Sequence, residues 1–201
     1  MYSQRFQGTV GTAAAENKWA VVLNPAINAY VAIGNATVNG ISNVWITSYN
    51  AGGTVLTSAI ANAGRNIIAR DISIAPIDPI TGQQTYYITG WTQVVFMGIP
   101  VNQIFVGRIF INGVFMWYSE NPIGGGGNDK EGVAVVTAPN GDVVVAGHVL
   151  WPVFPGGSQV ILSRFNPLGA IIWTNVYLQP GYWIVREMSL GVPSPGCARS
   201  I

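Results

Sequence analysis

Three similar strand-like segments recur along this chain of 201 residues, and their spacing constrains the fold more than any other feature of the sequence. The segments YVAIG, YYITG and VVVAG end at Gly34, Gly90 and Gly147, which are 56 and 57 residues apart. Internal similarity at a fixed period indicates a repeat architecture, because each repeat is one supersecondary unit. We therefore predict three similar units. They span residues 16–64, 65–127 and 128–181.

The similarity extends to both sides of each of these anchor glycines. An apolar segment ending in proline precedes each one, and a glycine-containing turn followed by a further apolar segment comes after it. Each unit therefore predicts four short strands joined as antiparallel hairpins. The prolines are Pro25, Pro76 and Pro139, and the turn glycines are Gly53, Gly113 and Gly169. Trp117 and Trp173 each lie four residues after a turn glycine, and we expect both to be buried at corresponding places.

The composition agrees with an all-β chain whose sheets bury both faces. Hydrophobic residues make up 49% of the chain and charged residues only 8%, whereas about 25% charged residues is typical. Four antiparallel strands in each unit of about 50 residues are typical of a β-propeller blade. We predict a single β-propeller-like domain over residues 1–201, with about three four-stranded antiparallel blades. A two-sheet sandwich is the alternative fold, but it does not require this period.

The third unit carries a resemblance to a known family. The segments GDVVVAGHV, at 141–149, and GSQVILSRFNPLGAIIWTNVY, at 157–177, resemble the repeats of bacterial secreted β-propeller proteins of the SBBP type. They are similar, more loosely, to pyrroloquinoline-quinone-type blades. The resemblance implies a propeller fold and an extracellular or cell-surface location. The matching motifs are architectural, so the resemblance implies no catalytic residue.

The two ends of the chain read as incomplete strands, at residues 1–11 and 182–201. Three complete blades are too few for a closed ring, which has four to eight. The chain is then a fragment of a longer propeller, a protomer of a multi-chain ring, or a subunit of an open fibre. We expect a second copy of the chain to be the main partner, through apolar residues of the terminal strands. These residues are Tyr2, Phe6, Trp183, Val185, Met188 and Leu190.

A candidate ligand-binding rim follows the anchor glycines. Asn35, Trp91 and His148 come directly after them, and in a propeller such positions converge on one face. Long apolar loops, predicted at 91–103 and 148–158, add Phe96, Trp151 and Phe154. Aromatic side chains supply stacking area for a sugar or for a protein, so a glycan is the alternative partner. The other interpretation is that these loops cover their own blades.

The sequence offers little for catalysis. His148 is the only histidine and Cys197 the only cysteine, so a cluster of histidine or cysteine metal ligands cannot form, and no nucleophile motif surrounds His148. We predict no cofactor, no metal and no enzymatic activity. The net charge of +1, without a basic cluster, argues against nucleic acid as a partner. No run of about 18 apolar residues predicts a transmembrane segment.

These observations favour a non-catalytic structural protein, extracellular or on a surface, that self-assembles through incomplete propeller ends. A viral or phage shell or fibre component would fit the same composition. The alternative is a carbohydrate- or ligand-binding propeller module that uses its aromatic rim loops. An enzyme is the third hypothesis, and the scattered ionisable residues speak against it.

Overall fold

The computed structural model describes residues 17–121, 129–150, 157–180 and 185–189. These residues form twelve β-strands in three four-stranded antiparallel sheets, each with its strands in chain order. The all-β fold and the four-strand composition of each unit are therefore confirmed. The first sheet contains β1 (Asn17–Asn24), β2 (Ala29–Val38), β3 (Ile41–Asn50) and β4 (Val55–Ala61). The second contains β5 (Ile67–Ile74), β6 (Thr85–Phe96), β7 (Ile99–Phe110) and β8 (Phe115–Asn121). The third contains β9 (Lys130–Thr137), β10 (Val143–Leu150), β11 (Gly157–Phe165) and β12 (Ile171–Pro180).

Each anchor glycine lies in the second strand of its sheet, opposite an irregularity in the pairing with the first strand. The register between these strands shifts next to Gly34, Gly90 and Gly147. At Gly90 a Cβ atom would lie within 3.0 Å of the Ile68 carbonyl, and at Gly147 within 3.0 Å of the Glu131 carbonyl oxygen. Glycine is required there because the bulged neighbouring strand turns a carbonyl towards the Cα atom.

The third and fourth strands of the three sheets are also built alike. Gly53, Gly113 and Gly169 all have φ between 82° and 86°, in tight turns closed by main-chain hydrogen bonds. The pairing of these strands shifts register one position after Ser48, Arg108 and Arg164. These three residues pair with Thr57, Trp117 and Trp173 respectively. The two tryptophans therefore hold the same register position, and both are half-buried rather than fully buried.

The second sheet packs against the other two, one on each face. Because successive side chains of a strand point to opposite faces, Tyr86 and Ile88 pack against the first sheet, whereas Tyr87 packs against the third. Each joint has its own apolar core. The first core includes Val31, Ile33, Val44, Ile46, Ile88 and Phe105, and the second includes Val106, Val135, Val145, Ile161 and Phe165.

Tyr87, Arg108 and Trp117 of the second sheet donate hydrogen bonds to the turns of the third sheet. Tyr87 Oη donates to the Gly141 carbonyl at 2.9 Å, and Trp117 Nε1 donates to the Pro167 carbonyl at 2.9 Å. Arg108 donates to the carbonyl oxygens of Pro167 and Pro76 and to Thr85 Oγ1. We call Tyr87, Arg108 and Trp117 the donor cluster. Arg108 therefore bonds the second sheet to the third.

The long loop predicted at residues 91–103 is instead a continuous β-hairpin. Pairing between β6 and β7 runs from Thr85–Phe110 to Phe96–Ile99, and only Met97 and Gly98 remain in the turn. Both have positive φ, 49° and 81°. The loop prediction was wrong for this unit because Thr92, Val94 and Val101 continue the strand pairing beyond the anchor glycine.

Candidate partner-binding surfaces

Asn35 binds the neighbouring sheet rather than lining an open rim. Its side chain is 6% exposed. Asn35 Oδ1 accepts a hydrogen bond from the Ala69 main-chain amide at 2.9 Å, and Asn35 Nδ2 donates to the Ala69 carbonyl at 3.4 Å. Ala69 lies on β5 beside the register shift of the second sheet. The carboxamide therefore satisfies main-chain groups at the bulge and connects the first sheet to the second.

The hairpin of β6 and β7 carries Trp91 and Phe96 to different environments. Trp91 is half-buried in the strand, paired with Ile68 on one side and Ile104 on the other. Phe96 is at the tip and is 39% exposed. Val95, Met97 and Ile99 surround it and are more exposed. The tip is thus an exposed apolar surface, which makes it a candidate contact site.

His148 is on the face of the third sheet that points away from the second. It is 5% exposed, and its Nδ1 atom is buried without a hydrogen-bond partner, as is Asn43 Oδ1 elsewhere in the described part of the chain. Its Nε2 atom is 4.0 Å from Glu131 Oε2, which is too far for a hydrogen bond. Glu131 accepts instead from Arg70 of the second sheet. A buried, unpaired imidazole nitrogen is rare enough to require an explanation.

Burial lowers the pKa of His148 below its usual value of 6.5; Glu131 acts in the opposite direction, and Arg70 adds to the lowering. The unfolded chain therefore binds the proton more readily than the folded chain. The contribution of His148 to folding is complete above pH 6.5 and is lost as the pH falls from there towards the folded-state pKa.

We expect the free energy of unfolding of the wild type to fall more steeply between about pH 7 and pH 5 than that of His148→Gln, by at most ~1.4 kcal/mol per pH unit. Urea unfolding at a series of pH values measures both slopes. Glutamine keeps a polar group of similar size and does not titrate, so that acidic groups such as Asp71 affect both proteins equally. Parallel slopes would show that His148 does not titrate differently in the two states.

An apolar pocket lies on the face of the first sheet that points away from the second. Its walls come from β1, β2 and β3, and its floor extends into the turn between β3 and β4. Tyr30 and Val21 are among the exposed apolar residues of this face. We call this the first-sheet pocket, and it is lined by Val21, Tyr30, Ala32, Tyr49, Ala51 and Gly53. Sequence reasoning missed it, because none of these residues has a distinctive chemical signature.

Several residues predicted to bind a ligand or a second chain lie outside the described ranges. These are Trp151 and Phe154 of the rim, and Tyr2, Phe6, Trp183 and Leu190 of the terminal strands. Val185 and Met188 are described, half-buried, and belong to none of the twelve strands. The role in assembly predicted for the terminal strands, at 1–11 and 182–201, therefore remains a prediction.

Lys130 and Asp71 make polar contacts across the joint between the second and third sheets. Lys130 Nζ donates to Gln103 Oε1 at 3.0 Å and is 1% exposed. Asp71 accepts from the main-chain amides of Val135 and Ile72, and burial raises the pKa of its carboxyl group. Residues 17–121, 129–150, 157–180 and 185–189 contain no group of three metal-ligating side chains and no helix able to cross a membrane.

Comparison with known proteins adds no family to this picture: no family model matches the chain, and no curated protein does. The geometry of the sheets is therefore the basis for an assignment of function. It offers three candidate surfaces: the outer face of the first sheet with its pocket, the outer face of the third sheet, and the apolar tip of the β6–β7 hairpin.

Proposed function

We propose that this chain is a non-catalytic structural protein that assembles with further copies of itself, as blades of a β-propeller-like ring or of an open fibre. One observation carries the proposal. The second sheet buries its two faces against the neighbouring sheets, whereas the first and third sheets each have one face that packs against no other described sheet. In the second and third sheets, one face packs against the sheet that precedes it in the chain. The outer face of the first sheet is the equivalent face, and no described sheet precedes it.

The two outer faces are therefore complementary in kind. The outer face of the first sheet is equivalent to a face that packs against a preceding sheet. The outer face of the third sheet is equivalent to a face that packs against a following sheet. A contact between them is head-to-tail, and such contacts give rings when the rotation closes and filaments when it does not. The low charge of the chain supports this function, because stacked sheets leave few surfaces that need charged residues.

An extracellular or cell-surface location fits a structural assembly of this kind and forms part of the proposal. The resemblance of the third unit to secreted propeller repeats is its only support, at GDVVVAGHV and the segment 157–177. A proteinase applied to intact cells that express the native gene would distinguish a location outside the cell from one inside it. Degradation of the chain while a cytoplasmic marker survives is expected, and protection of both would overturn the location.

The proposal predicts a mass in solution that rises with concentration above the 21.4 kDa of one chain. Sedimentation velocity from low to high micromolar protein measures it. Discrete multiples that reach a plateau would identify a ring, and continuous growth would identify a fibre. A chain that remains monomeric at high micromolar concentration would overturn self-assembly as the function.

The second candidate function is binding of a separate ligand at the rim, and the β6–β7 hairpin favours it. Its tip exposes Val95, Phe96, Met97 and Ile99 together, which is unusual for a surface without a partner. Phe96→Ser combined with Met97→Ser leaves the strand pairing intact. Loss of binding on a glycan array in this variant, with the oligomeric state unchanged, would assign the tip to a sugar and separate this function from self-assembly.

A further inference from the structure

The first-sheet pocket corresponds, position by position, to the place on the third sheet that holds Trp117. Val21 pairs with Ala32 in the first sheet as Val135 pairs with Val145 in the third. The two turns that follow are closed by the same hydrogen bonds, from Gly53 to Asn50 and from Gly169 to Asn166. Ala51 and Pro167 are the residues after these asparagines. Tyr30 pairs with Tyr49 in the first sheet as Val143 pairs with Phe165 in the third.

The contacts of Trp117 show what such a place binds. Trp117 Nε1 donates to the Pro167 carbonyl at 2.9 Å. Its ring lies against Gly169, where an added Cβ atom would be 2.7 Å from ring atom Cδ2. The ring also packs against the core that contains Val143 and Phe165. The place is therefore an indole site with an apolar wall, a glycine floor and a carbonyl acceptor.

Gly53 has the space that such an indole requires. A Cβ atom added at Gly53 would meet nothing within 4 Å, whereas Gly113 and Gly169 meet the fourth strand of the preceding sheet, at Ile60 and Trp117. In both joints inside the chain, the turn of the later sheet contacts the fourth strand of the earlier sheet. The corresponding turn of the first sheet, at Gly53, contacts no such strand within the described part of the chain, and it has space for one.

Trp173 is the side chain that matches. It pairs with Arg164 on the fourth strand of the third sheet, as Trp117 pairs with Arg108 on the fourth strand of the second, and the register shifts directly after each arginine. It is half-buried. Arg164 Nε is bound to Asp142 Oδ2 at 2.8 Å, in the way that Arg108 Nε is bound to Thr85 Oγ1 at 2.9 Å.

We infer that Trp173 of a second copy of this chain occupies the first-sheet pocket, with its Nε1 donating to the Ala51 carbonyl. This inference rests on the proposed self-assembly and names the contact that carries it. Trp173 cannot reach the pocket of its own chain, because the second sheet lies between the first and the third. The contact is head-to-tail, so every chain uses one pocket and one tryptophan.

Two substitutions test the contact from its two sides. Trp173→Ala removes the indole, and Val21→Arg extends a charged chain over the pocket from a side chain that is 49% exposed in the isolated fold. Each should weaken association at least about 30-fold, because a tryptophan anchor in a pocket is typical of a binding hot spot. The matched controls are Ile172→Ala, on the same strand, and Ile80→Arg, which is 91% exposed. Sedimentation velocity measures all four, and circular dichroism checks their folding.

A photo-crosslink gives a readout that does not depend on weakened association. A chain with p-benzoylphenylalanine at position 173 is mixed with ¹⁵N-labelled wild type, irradiated and digested. The inference expects crosslinks to a labelled peptide from the first sheet that includes Asn50–Gly53. Crosslinks elsewhere, or variants that associate as strongly as the wild type, would overturn the pocket contact while leaving self-assembly in place. A monomeric wild type would overturn both.

Discussion

Gly90→Ala is expected to destabilise the fold by about 3 kcal/mol or more, near the upper end for a single substitution that overfills a packed site. The new methyl group would meet the Ile68 carbonyl oxygen and carbon and the Ala69 Cα atom. These are main-chain atoms of the bulged strand β5, so no side-chain rotation relieves the contact. For a chain of this length the melting midpoint falls by roughly 6–12 °C.

Gly52→Ala is the control for this substitution. Gly52 has no positive φ, and its added methyl group would meet only Asn50 Oδ1, at 3.4 Å. Its effect should be within about 0.5 kcal/mol, as for surface changes away from special features. Thermal melts followed by circular dichroism compare the two. Equal midpoints would show that the β5 bulge yields without cost, and the explanation of the anchor glycine would be wrong.

Arg108→Met is expected to cost about 3–5 kcal/mol, because a buried cation with several hydrogen bonds leaves its partners unsatisfied when it is removed. Arg108 is 4% exposed and bonds the Pro76 and Pro167 carbonyls and Thr85 Oγ1. Its guanidinium carbon is also 5.9 Å from the centre of the Tyr87 ring. Methionine keeps much of the volume, so the loss reports the polar contacts rather than a cavity.

Arg65→Met serves as the reference for Arg108. Arg65 forms an ion pair with Glu120 and its side chain is 46% exposed, so its removal should cost about 0–1 kcal/mol. Urea denaturation gives both free energies of unfolding. If Arg108→Met were no more destabilising than Arg65→Met, the donor cluster would not hold the second and third sheets together.

The sequence predicted the strands well, because the features that place them are local. Four antiparallel strands in each unit were predicted from alternating apolar residues, from the prolines and glycines at the turns, and from the anchor glycines. The described sheets have these strands. The length of the second hairpin was not predictable in this way. Asn39–Gly40 is a familiar hairpin turn pair, whereas Met97 takes a positive φ that its side chain does not favour.

The candidate surfaces were harder to predict, because they depend on which face of a sheet meets a neighbour. Asn35 and His148 have corresponding positions in the sequence. One faces the second sheet and bonds to Ala69, and the other faces outwards from the last sheet with Nδ1 unpaired. The first-sheet pocket likewise consists of ordinary core residue types. It is a pocket only because no sheet of the described chain packs there.

The donor cluster has a consequence for sequence change. Tyr87 and Trp117 bind only main-chain carbonyls of the third sheet, those of Gly141 and Pro167. A main-chain carbonyl is present whatever side chain its residue bears, so the acceptor turns can change sequence wherever their backbone shape does not require glycine. Gly141 and Gly169 are the exceptions, because both have positive φ and an added Cβ atom would lie within 3 Å of a neighbouring side chain. The donors have no such freedom, because each needs its own N–H or O–H group. Mutational tolerance across this joint is therefore uneven: apart from those two glycines, it is higher in the turns that accept than in the sheet that donates.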